Sequence, residues 1–329
     1  MNSFKALRVY NEEGIVSNRV ETIKLEDLGA GEVVIKSAYS SINYKDALGA
    51  TGVGKILKSF PLNAGIDVSG QVISSDDPKF KEGDKVLVTG CGLGEVHDGG
   101  YSEVVRVPSS WVVPLPDSLS LREAMIYGTA GFTAGLCVNR LKHNGMVPGK
   151  GPVVVTGASG GVGSLAVSML AKQGFEVIAV SGKEAQYDRL KELGASQVVS
   201  IDQLELGKTP LGKGRFGGAI DNVGGAVLEG ILSHVNLWGS VASVGLALDY
   251  KFSATVMPFI LRGVSILGIS STNCPYELRQ QVWKSLSDEL KPGDLESYVS
   301  RVCKLEDLNQ AFNDMLDRKT TGRMILELN

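Results

Sequence analysis

The sequence has little of what marks secreted, membrane or metal-dependent proteins. It contains only 4 cysteines and 3 histidines in 329 residues. None of them shows the paired spacing of a structural zinc site or a disulfide framework, so we expect no metal and a reducing, cytoplasmic environment. No apolar run reaches the ~18 residues of a membrane span, and the N-terminal stretch lacks the apolar core of a signal peptide. We therefore expect neither membrane insertion nor export.

An excess of charge of one sign is also missing. The 33 basic and 36 acidic residues give a formal net charge of −3, and they form no basic stripe that could neutralise a phosphate backbone. Nucleic acid is therefore not an expected partner. What the chain does have is an ordinary globular composition, 43% hydrophobic, and a length for which two domains are the default expectation.

The order of short apolar segments predicts an α/β protein built from two different modules. In the first third of the chain, glycine and proline separate short segments, which predicts an all-β module. Further along, predicted strands and helices alternate, which implies a parallel sheet with helices on both faces. The predicted strands are 5–10, 32–40, 68–74, 85–89, 103–107, 152–156, 176–180, 198–200, 218–221, 239–244 and 265–270. A helix is predicted over 276–290, and a last strand at the segment MILEL.

The strongest chemical signal is the segment VVVTGASGGVG at residues 153–163, where a β-branched run meets a glycine-rich turn that opens a helix. A helix N-terminus presents unpaired N–H groups to a pyrophosphate, and glycine lets the phosphates approach the backbone. Against the dinucleotide fingerprint G-x-G-x-x-G, the glycine positions are Ala158, Gly160 and Gly163. The first glycine is replaced, but the strand before and the helix after supply the context that the motif needs.

The next predicted strand indicates which dinucleotide binds. An enzyme that uses NAD carries a carboxylate at its tip for the ribose 2′-hydroxyl. Here the strand ends in VIAVSGKE, where Ser181, Gly182 and Lys183 offer a hydroxyl, an amide and a positive charge suited to a 2′-phosphate. The sequence therefore favours NADPH. The alternative is that Lys183 only caps a loop in solvent. Two later strand ends, at Asn222-Val223 and Gly245-Leu246, should border the adenosine and nicotinamide halves.

The chain resembles the medium-chain dehydrogenase/reductase superfamily, in its zinc-free quinone oxidoreductase-like branch of the YhdH/YhfP type, which includes acrylyl-CoA reductases. The segments that carry the resemblance are SSINYKDAL, FPLNAGIDVSGQV, EGDKVLVTG, GTAGFTA, TGASGGVG and TVMPFILRGVSILGI. It implies a GroES-like β-barrel catalytic domain over 1–122 and 271–329. A Rossmann doubly wound parallel sheet for NADPH would occupy 123–270, with the active site in the cleft between the domains. Zinc-dependent members have metal ligands where this chain has Asn43 and Gly65-Ile66-Asp67, so the resemblance implies no metal.

Conjugate reduction is the chemistry expected without a metal, and the growing enolate then needs a hydrogen-bond donor. The resemblance places Asn43 and Tyr44 beside the nicotinamide, with Tyr44 positioning the ring and either residue donating. The alternative is that Asn43 only caps a helix. The family resemblance also places Arg262, Ser271, Asn273 and Arg323 toward the cleft. The candidate cofactor contacts are Tyr44, Thr133, Ser159, Gly160, Gly161, Val162, Ser181, Gly182, Lys183, Asn222, Val223, Gly245, Leu246, Ile269, Ser271 and Arg323. The candidate substrate contacts are Asn43, Arg262 and Asn273.

Three functions follow from this interpretation. The first is an NADPH-dependent reductase of an enoyl thioester such as acrylyl-CoA, and the second is a quinone reductase with the same fold. The third is an NADPH-binding redox sensor without catalysis, since folds can be reused. The expected small-molecule partner is an electrophile, an enoyl-CoA or a quinone. The family commonly pairs subunits through a sheet edge, and VSILGIS at 264–270 is an apolar candidate edge strand. We therefore expect a homodimer.

Overall fold

The computed structural model describes residues 3–328. Helices and strands are numbered here in chain order. The first part of the chain contains β1 (Phe4–Glu12), β2 (Ile15–Ile23), β3 (Val33–Ile42), α1 (Tyr44–Ala50), β4 (Leu62–Asn63), β5 (Asp67–Ser75), β6 (Lys85–Thr89), β7 (Val104–Val107), β8 (Val113–Pro114) and α2 (Leu121–His143). Next come β9 (Val153–Thr156), α3 (Gly161–Lys172), β10 (Val177–Val180), α4 (Tyr187–Glu192), β11 (Gln197–Val199), β12 (Phe216–Asp221), α5 (Gly225–Ser233), β13 (Val235–Ser243), α6 (Met257–Arg262) and β14 (Ser265–Gly268). The last elements are α7 (Tyr276–Ser287), β15 (Val299–Cys303), α8 (Leu308–Leu316) and β16 (Arg323–Glu327).

The chain divides into two compact units. The first unit consists of Met1–Thr129, Ser271–Ser287 and Asp294–Asn329, and the second of Ala130–Ser270 and Asp288–Gly293. Relative to the boundaries predicted above, the first junction lies a few residues later, and residues 288–293 belong with the second unit.

The first unit is mainly β-structure. One sheet has the strand order β15-β16-β3-β5-β6-β8, with β7 also paired to β3, and a smaller sheet has the order β2-β1-β4. Apolar side chains of β3, β5, β6 and β7 form a buried cluster that includes Ile35, Val68, Val88 and Val105. At one end of the larger sheet β3 ends, β5 begins and β16 begins, and the register pairs Ile42 with Met324. This end carries the polar residues described below.

The second unit contains a six-stranded parallel sheet in the order β11-β10-β9-β12-β13-β14. This is the order of the doubly wound dinucleotide-binding fold, so the predicted parallel sheet is confirmed. All four residues of β9 are buried, as expected for a central strand whose two faces are both covered. None of the helices between residues 3 and 328 is long and apolar enough to cross a membrane.

The sequence interpretation left out several elements. The structure forms a hairpin between β1 and β2, and it contains α5, β15 and α8 where no regular element was predicted. The predicted helix over 276–290 ends at Ser287.

Candidate active site

The start of α1 carries the two residues that the sequence interpretation assigned to catalysis. Asn43 is the N-cap of this helix, and its backbone N–H donates to Asp46 Oδ2 over 2.9 Å. Asp46 therefore satisfies one of the amides at the helix start, as the acidic member of a capping box does. Tyr44 is the first residue of the helix and is 51% exposed. The structure thus shows the capping role of Asn43, which was the alternative interpretation of this residue.

Behind this helix start lies a fully buried carboxylate, Asp67, at the beginning of β5. Its Oδ2 accepts hydrogen bonds from Asn43 Nδ2 at 2.8 Å and from the backbone N–H of Thr129 at 2.8 Å. The Thr129 hydroxyl donates to Oδ1 at 2.6 Å, and the hydroxyl of Ser41 also donates to the carboxylate. Four donors therefore compensate the burial of this charge, as a buried carboxylate requires.

A second buried carboxylate, Asp46, lies close to the first. Its Oδ1 accepts the backbone N–H of Ile66 at 2.9 Å. Burial, the larger cause, and the nearby charge of Asp67 together raise the pKa of Asp46 to about 7. The phenol of Tyr101 interacts with Asp46 and donates to the carbonyl of Ser41 at 3.1 Å, and burial also raises the pKa of Tyr101.

Arg323 supplies the positive charge of this cluster, and it corrects the sequence interpretation. The side chain is only 3% exposed. Its Nε donates to the carbonyl of Ile126 at 2.8 Å, and both terminal nitrogens lie 3.3 Å from Asn43 Oδ1. The guanidinium is thus buried inside the first unit and bonded to residues there. This placement contradicts the prediction above that Arg323 is a cofactor contact.

The surroundings of Asn43 distinguish it from Tyr44 as a possible hydrogen-bond donor to a ligand. Its amide nitrogen has two hydrogens, and it lies within 3.1 Å of Ser41 Oγ, 3.1 Å of Asp46 Oδ2 and 2.8 Å of Asp67 Oδ2. Its oxygen faces Arg323. Because both hydrogens have acceptors inside the cluster, the geometry leaves the exposed Tyr44 phenol as the donor available to a ligand.

An ion pair on the other side of α1 fixes the residue after Tyr44. Lys45 Nζ lies 2.5 Å from Glu95 Oε1, and the two side chains are 32% and 15% exposed. Glu95 belongs to the loop after β6, and its carbonyl accepts the backbone N–H of Lys58. This ion pair holds the start of α1 against the loop after β6.

In the second unit, the glycine-rich turn between β9 and α3 has the shape that the motif predicts. Gly157 has φ +59°, which favours glycine. A Cβ on Gly163 would lie 2.3 Å from the Gly157 carbonyl oxygen, so only glycine lets the turn close against the helix. Gly160 is exposed at the N-cap of α3, and Gly161 and Val162 form the first turn. This helix start fits a pyrophosphate.

The end of β10 fits a 2′-phosphate. Ser181 Oγ lies 3.1 Å from Ser159 Oγ in the glycine-rich turn and accepts the backbone N–H of Lys183 at 3.1 Å. The Tyr187 phenol donates to the Ser181 carbonyl at 3.1 Å. Gly182 is exposed, and partial burial lowers the pKa of Lys183. Lys183 is therefore partly buried beside the Ser181 hydroxyl, whereas the alternative interpretation has its side chain capping a loop in solvent.

Two residues that the sequence interpretation missed shape the next turn. Thr156 Oγ1 donates to Asp221 Oδ1 at 2.7 Å and accepts the backbone N–H of Asn222 at 2.8 Å. Asp221 Oδ2 accepts the backbone N–H of Gly224, and burial raises the pKa of this carboxyl group. The available signal was a carboxylate directly after an apolar run, in FGGAID. A Cβ on Gly245 would lie 2.3 Å from the Asn222 carbonyl oxygen, so the two predicted turns are in contact.

Arg262 is a second correction. Its guanidinium donates to the carbonyls of Ser233 at 3.1 Å and Val235 at 3.0 Å, and also to that of Gly212. Val235 begins β13, so Arg262 lies at the amino-terminal edge of the parallel sheet. Ligands of such sheets bind at the opposite, carboxyl edge. Arg262 therefore stabilises the second unit and does not face the substrate.

The remaining predicted contacts have the following places. Thr133 is buried within α2, and Val223 is half-buried in the turn after β12. Leu246 is 66% exposed after β13, and Ile269 follows β14. Ser271 and Asn273 lie in the first unit, in the segment before α7, where Ser271 is half-buried and Asn273 is exposed.

Comparison with known proteins decides the family. A model described as "Alcohol dehydrogenase GroES-like domain" matches residues 29–117, and one described as "Zinc-binding dehydrogenase" matches 161–289. The Bacillus subtilis protein named putative quinone oxidoreductase YhfP is 49% identical over 326 residues, which cover 99% of each chain. The Ruegeria pomeroyi acrylyl-CoA reductase AcuI is 44% identical, also over 99% of each chain. The chain belongs to the quinone oxidoreductase-like branch of the medium-chain dehydrogenase/reductase superfamily.

Solved structures of this branch agree with this family assignment. The Salmonella enterica yhdH oxidoreductase, in complex with NADP, has a TM-score of 0.95 at 43% identity and covers 99% of this chain and 100% of its own. The structure of B. subtilis yhfP with NAD bound gives 0.96 at 48% identity, over 99% of this chain and 100% of its own. The predicted fold class is confirmed. Although one family model is named for zinc, no three His, Cys, Asp or Glu side chains among residues 3–328 are grouped so that they could hold a metal ion.

Proposed function

We propose that this protein is an NADPH-dependent reductase that adds hydride to the β-carbon of an enoyl thioester of the acrylyl-CoA type. The single observation that carries the chemistry is the start of α1. There an exposed Tyr44 phenol follows Asn43, which is held by buried groups of both charges. The substrate class is supported by the name of the AcuI relative, which is 44% identical over nearly the whole chain.

In the second unit, the first turn of α3 would hold the pyrophosphate, and Ser181 with Lys183 would hold the 2′-phosphate. NADPH, when bound, supplies the hydride. In the first unit, Tyr44 donates a hydrogen bond to the thioester oxygen as negative charge grows there, which lowers the barrier to hydride addition. The Asn43–Asp67–Arg323 cluster keeps the helix start, and with it Tyr44, in one position. Preorganised donors of this kind cost no rearrangement during the reaction.

A quinone reductase is the second candidate, favoured by the name of the YhfP relative. Both candidates are tested by following NADPH oxidation with acryloyl-CoA and with p-benzoquinone, and by repeating the assay with NADH, because one relative was solved with NAD. We expect acryloyl-CoA to be turned over efficiently with NADPH. Turnover of the quinone alone would favour the second candidate. Binding of NADPH without turnover of either substrate would favour the sensor hypothesis.

Two variants locate the proposed roles in the same assay. Tyr44→Phe should lower kcat about 100- to 1,000-fold, the usual effect of losing one donor to a developing charge, with KM for NADPH nearly unchanged. Tyr250→Phe, which removes an exposed phenol elsewhere, is its control.

Lys183→Ala should raise KM for NADPH about tenfold and leave KM for NADH unchanged, since only NADPH carries the 2′-phosphate. Lys191→Ala on α4 is the matched control.

We also infer that the protein forms a homodimer through the edge of the second unit's sheet and resides in the cytoplasm. β14 is the terminal strand of that sheet, and no other strand among residues 3–328 pairs with its outer edge, although Arg140 donates to the Gly268 carbonyl there. The same unit exposes large apolar side chains after β13 and on α6, among them Tyr250 at 73%, Val256 at 65% and Ile260 at 73%. The cytoplasmic location is supported by the four cysteines, none of which forms a disulfide bond in the part of the chain that the structure describes.

A further inference from the structure

A buried arginine on α7 links three segments of the first unit. Arg279 is only 1% exposed. Its Nη1 donates to the Thr89 carbonyl at 2.6 Å and lies 3.2 Å from the Thr89 hydroxyl. Its Nη2 donates to the carbonyls of Ser271 at 2.9 Å and Thr272 at 3.1 Å. One planar guanidinium therefore joins the end of β6 to the segment before α7, using a fork geometry that lysine lacks.

The same segment is held from a second direction. The backbone N–H of Cys91 donates to the Thr272 carbonyl at 3.1 Å. Gly90 has φ +68°, and a Cβ there would lie 3.0 Å from Thr272 Cα, so the turn after β6 fits closely against the segment. Residues 271–272 are thus fixed by hydrogen bonds from Arg279 and Cys91 and by a close backbone approach at Gly90.

Both ends of this linkage meet residues of the candidate site. Thr89 is the register partner of Asp67 in the β5–β6 pairing, and the backbone N–H of Gly90 donates to the carbonyl of Ile66 at 2.9 Å. At the other end, Ser271 is a predicted cofactor contact. Arg279 therefore connects the end of β6, where Thr89 pairs with Asp67 of β5, to the segment that carries Ser271.

We propose that Arg279 is a positioning residue for cofactor binding, which holds the Ser271–Thr272 backbone in the conformation that binds NADPH. This inference rests on the proposed function. Arg279 touches neither cofactor nor substrate. Its effect is to order residues 271–272 before binding, so that the cofactor does not bear the entropic cost of ordering them.

The test compares Arg279→Lys with Arg106→Lys in the full-length protein. Arg106 is the matched control because its guanidinium also holds backbone carbonyls in the first unit, those of Leu28 and Gly29 at 2.6 and 2.8 Å. For Arg279→Lys we expect Kd for NADPH to rise about tenfold, the usual scale for losing preorganising hydrogen bonds from a charged group. At saturating NADPH, kcat should remain near the wild-type value. Arg106→Lys should leave Kd unchanged.

Hydrogen exchange gives a readout that needs no cofactor. In Arg279→Lys the amide of Cys91 and the amides of residues 271–275 should exchange faster, while α7 remains protected. Gly90→Ala disturbs the same contact from the opposite side and should give the same two results, so the test stands even if Arg279→Lys does not fold. An unchanged Kd in the folded variant, with wild-type binding intact, overturns this inference alone. Failure of the wild-type protein to bind NADPH overturns the inference and the proposed function together.

Discussion

Two carboxylates and one guanidinium share a buried space in the first unit. Asp46 and Asp67 are compensated by several hydrogen bonds and by Arg323, and a proton on Asp46 would make the trio neutral. Burying charges in this way is costly unless they are paired. The protonation of Asp46 is therefore coupled to the stability of the first unit. The sign of this coupling can be measured from how the free energy of unfolding changes with pH.

Asp46→Asn should change how stability depends on pH. The pKa of Asp46 is about 7 in the folded protein, above its ordinary value of about 4, so the folded state retains a proton that the unfolded chain releases. The contribution of Asp46 to the free energy of unfolding is full below pH ~4 and is lost as pH rises toward ~7. In Asp46→Asn this decline should be absent. Urea unfolding across that range measures it.

The control for this measurement is Asp188→Asn, since the Asp188 side chain is 95% exposed. Its unfolding free energy should follow the wild-type pH dependence. A decline in Asp46→Asn as steep as that of the wild type would show that the proton resides elsewhere.

At the scale of residues, the sequence predicted local structure better than contacts between residues that are far apart in the chain. The segment NYKD placed Asn43 and Tyr44 correctly at a helix start. The sequence did not predict that Arg323, 280 residues away, would lie against Asn43, because that contact depends on the pairing of β16 with β3. Arg262 was misassigned for a similar reason, since the edge of the sheet at which it lies depends on the strand register.

At the scale of elements, β9, the glycine-rich turn and α3 form a closely packed segment. The Gly163→Ala variant tests this packing, because its Cβ would lie 2.3 Å from the Gly157 carbonyl oxygen and 2.7 Å from Ala158 Cα. Backbone atoms cannot move aside as a flexible side chain would. We expect the free energy of unfolding to fall by about 1–3 kcal/mol, as for other overpacked sites, and NADPH binding to weaken.

Gly293→Ala is the control for that variant, because a Cβ at Gly293 would meet no atom within 4 Å. Chemical denaturation compares the two variants with the wild type. A Gly163→Ala protein as stable as Gly293→Ala would mean that the turn relaxes without cost.

Elements with strong periodicity were predicted, and those with weaker signals were missed. The hairpin of β1 and β2 turns at Glu13 and Gly14, both at positive φ, but Glu-Gly is a weaker turn signal than Asn-Gly. Helix α8 contains many polar residues, and its buried side chains Leu308, Ala311 and Phe312 follow the helical i, i+3, i+4 spacing. That spacing was available in the sequence, but the polar composition obscured it.

For the whole molecule, the proposed dimer gives the clearest prediction. Sedimentation at micromolar concentration should give about twice the mass of one chain, since edge pairing across a two-fold axis closes at two subunits. Ile260→Lys should shift the protein toward the single chain, because it places a charge among apolar side chains that the interface would bury. Val53→Lys is the matched control, since Val53 is a similarly exposed apolar residue in the first unit. A wild-type protein that sediments as one chain would contradict the dimer.

The architecture of each unit could be predicted further than the placement of its polar groups. Alternating strands and helices are enough to predict a parallel sheet, and the glycine-rich turn identifies its first strand. The first unit is assembled from segments far apart in the chain. Its antiparallel pairings therefore followed from the family resemblance more than from local pattern.

The place of Arg323 beside Asn43 limits how a protein of this kind could regain a metal. Exchange of Asn43 for cysteine alone would put a thiol next to a buried cation, and the thiolate would pair with that arginine. Exchange of Arg323 alone would leave Asp46 and Asp67 without their nearby positive charge, a change that costs several kcal/mol in buried pairs. The exchange of Arg323 on the way to a zinc centre thus passes through a less stable protein. In evolutionary terms, the buried arginine makes the absence of metal ligands difficult to reverse.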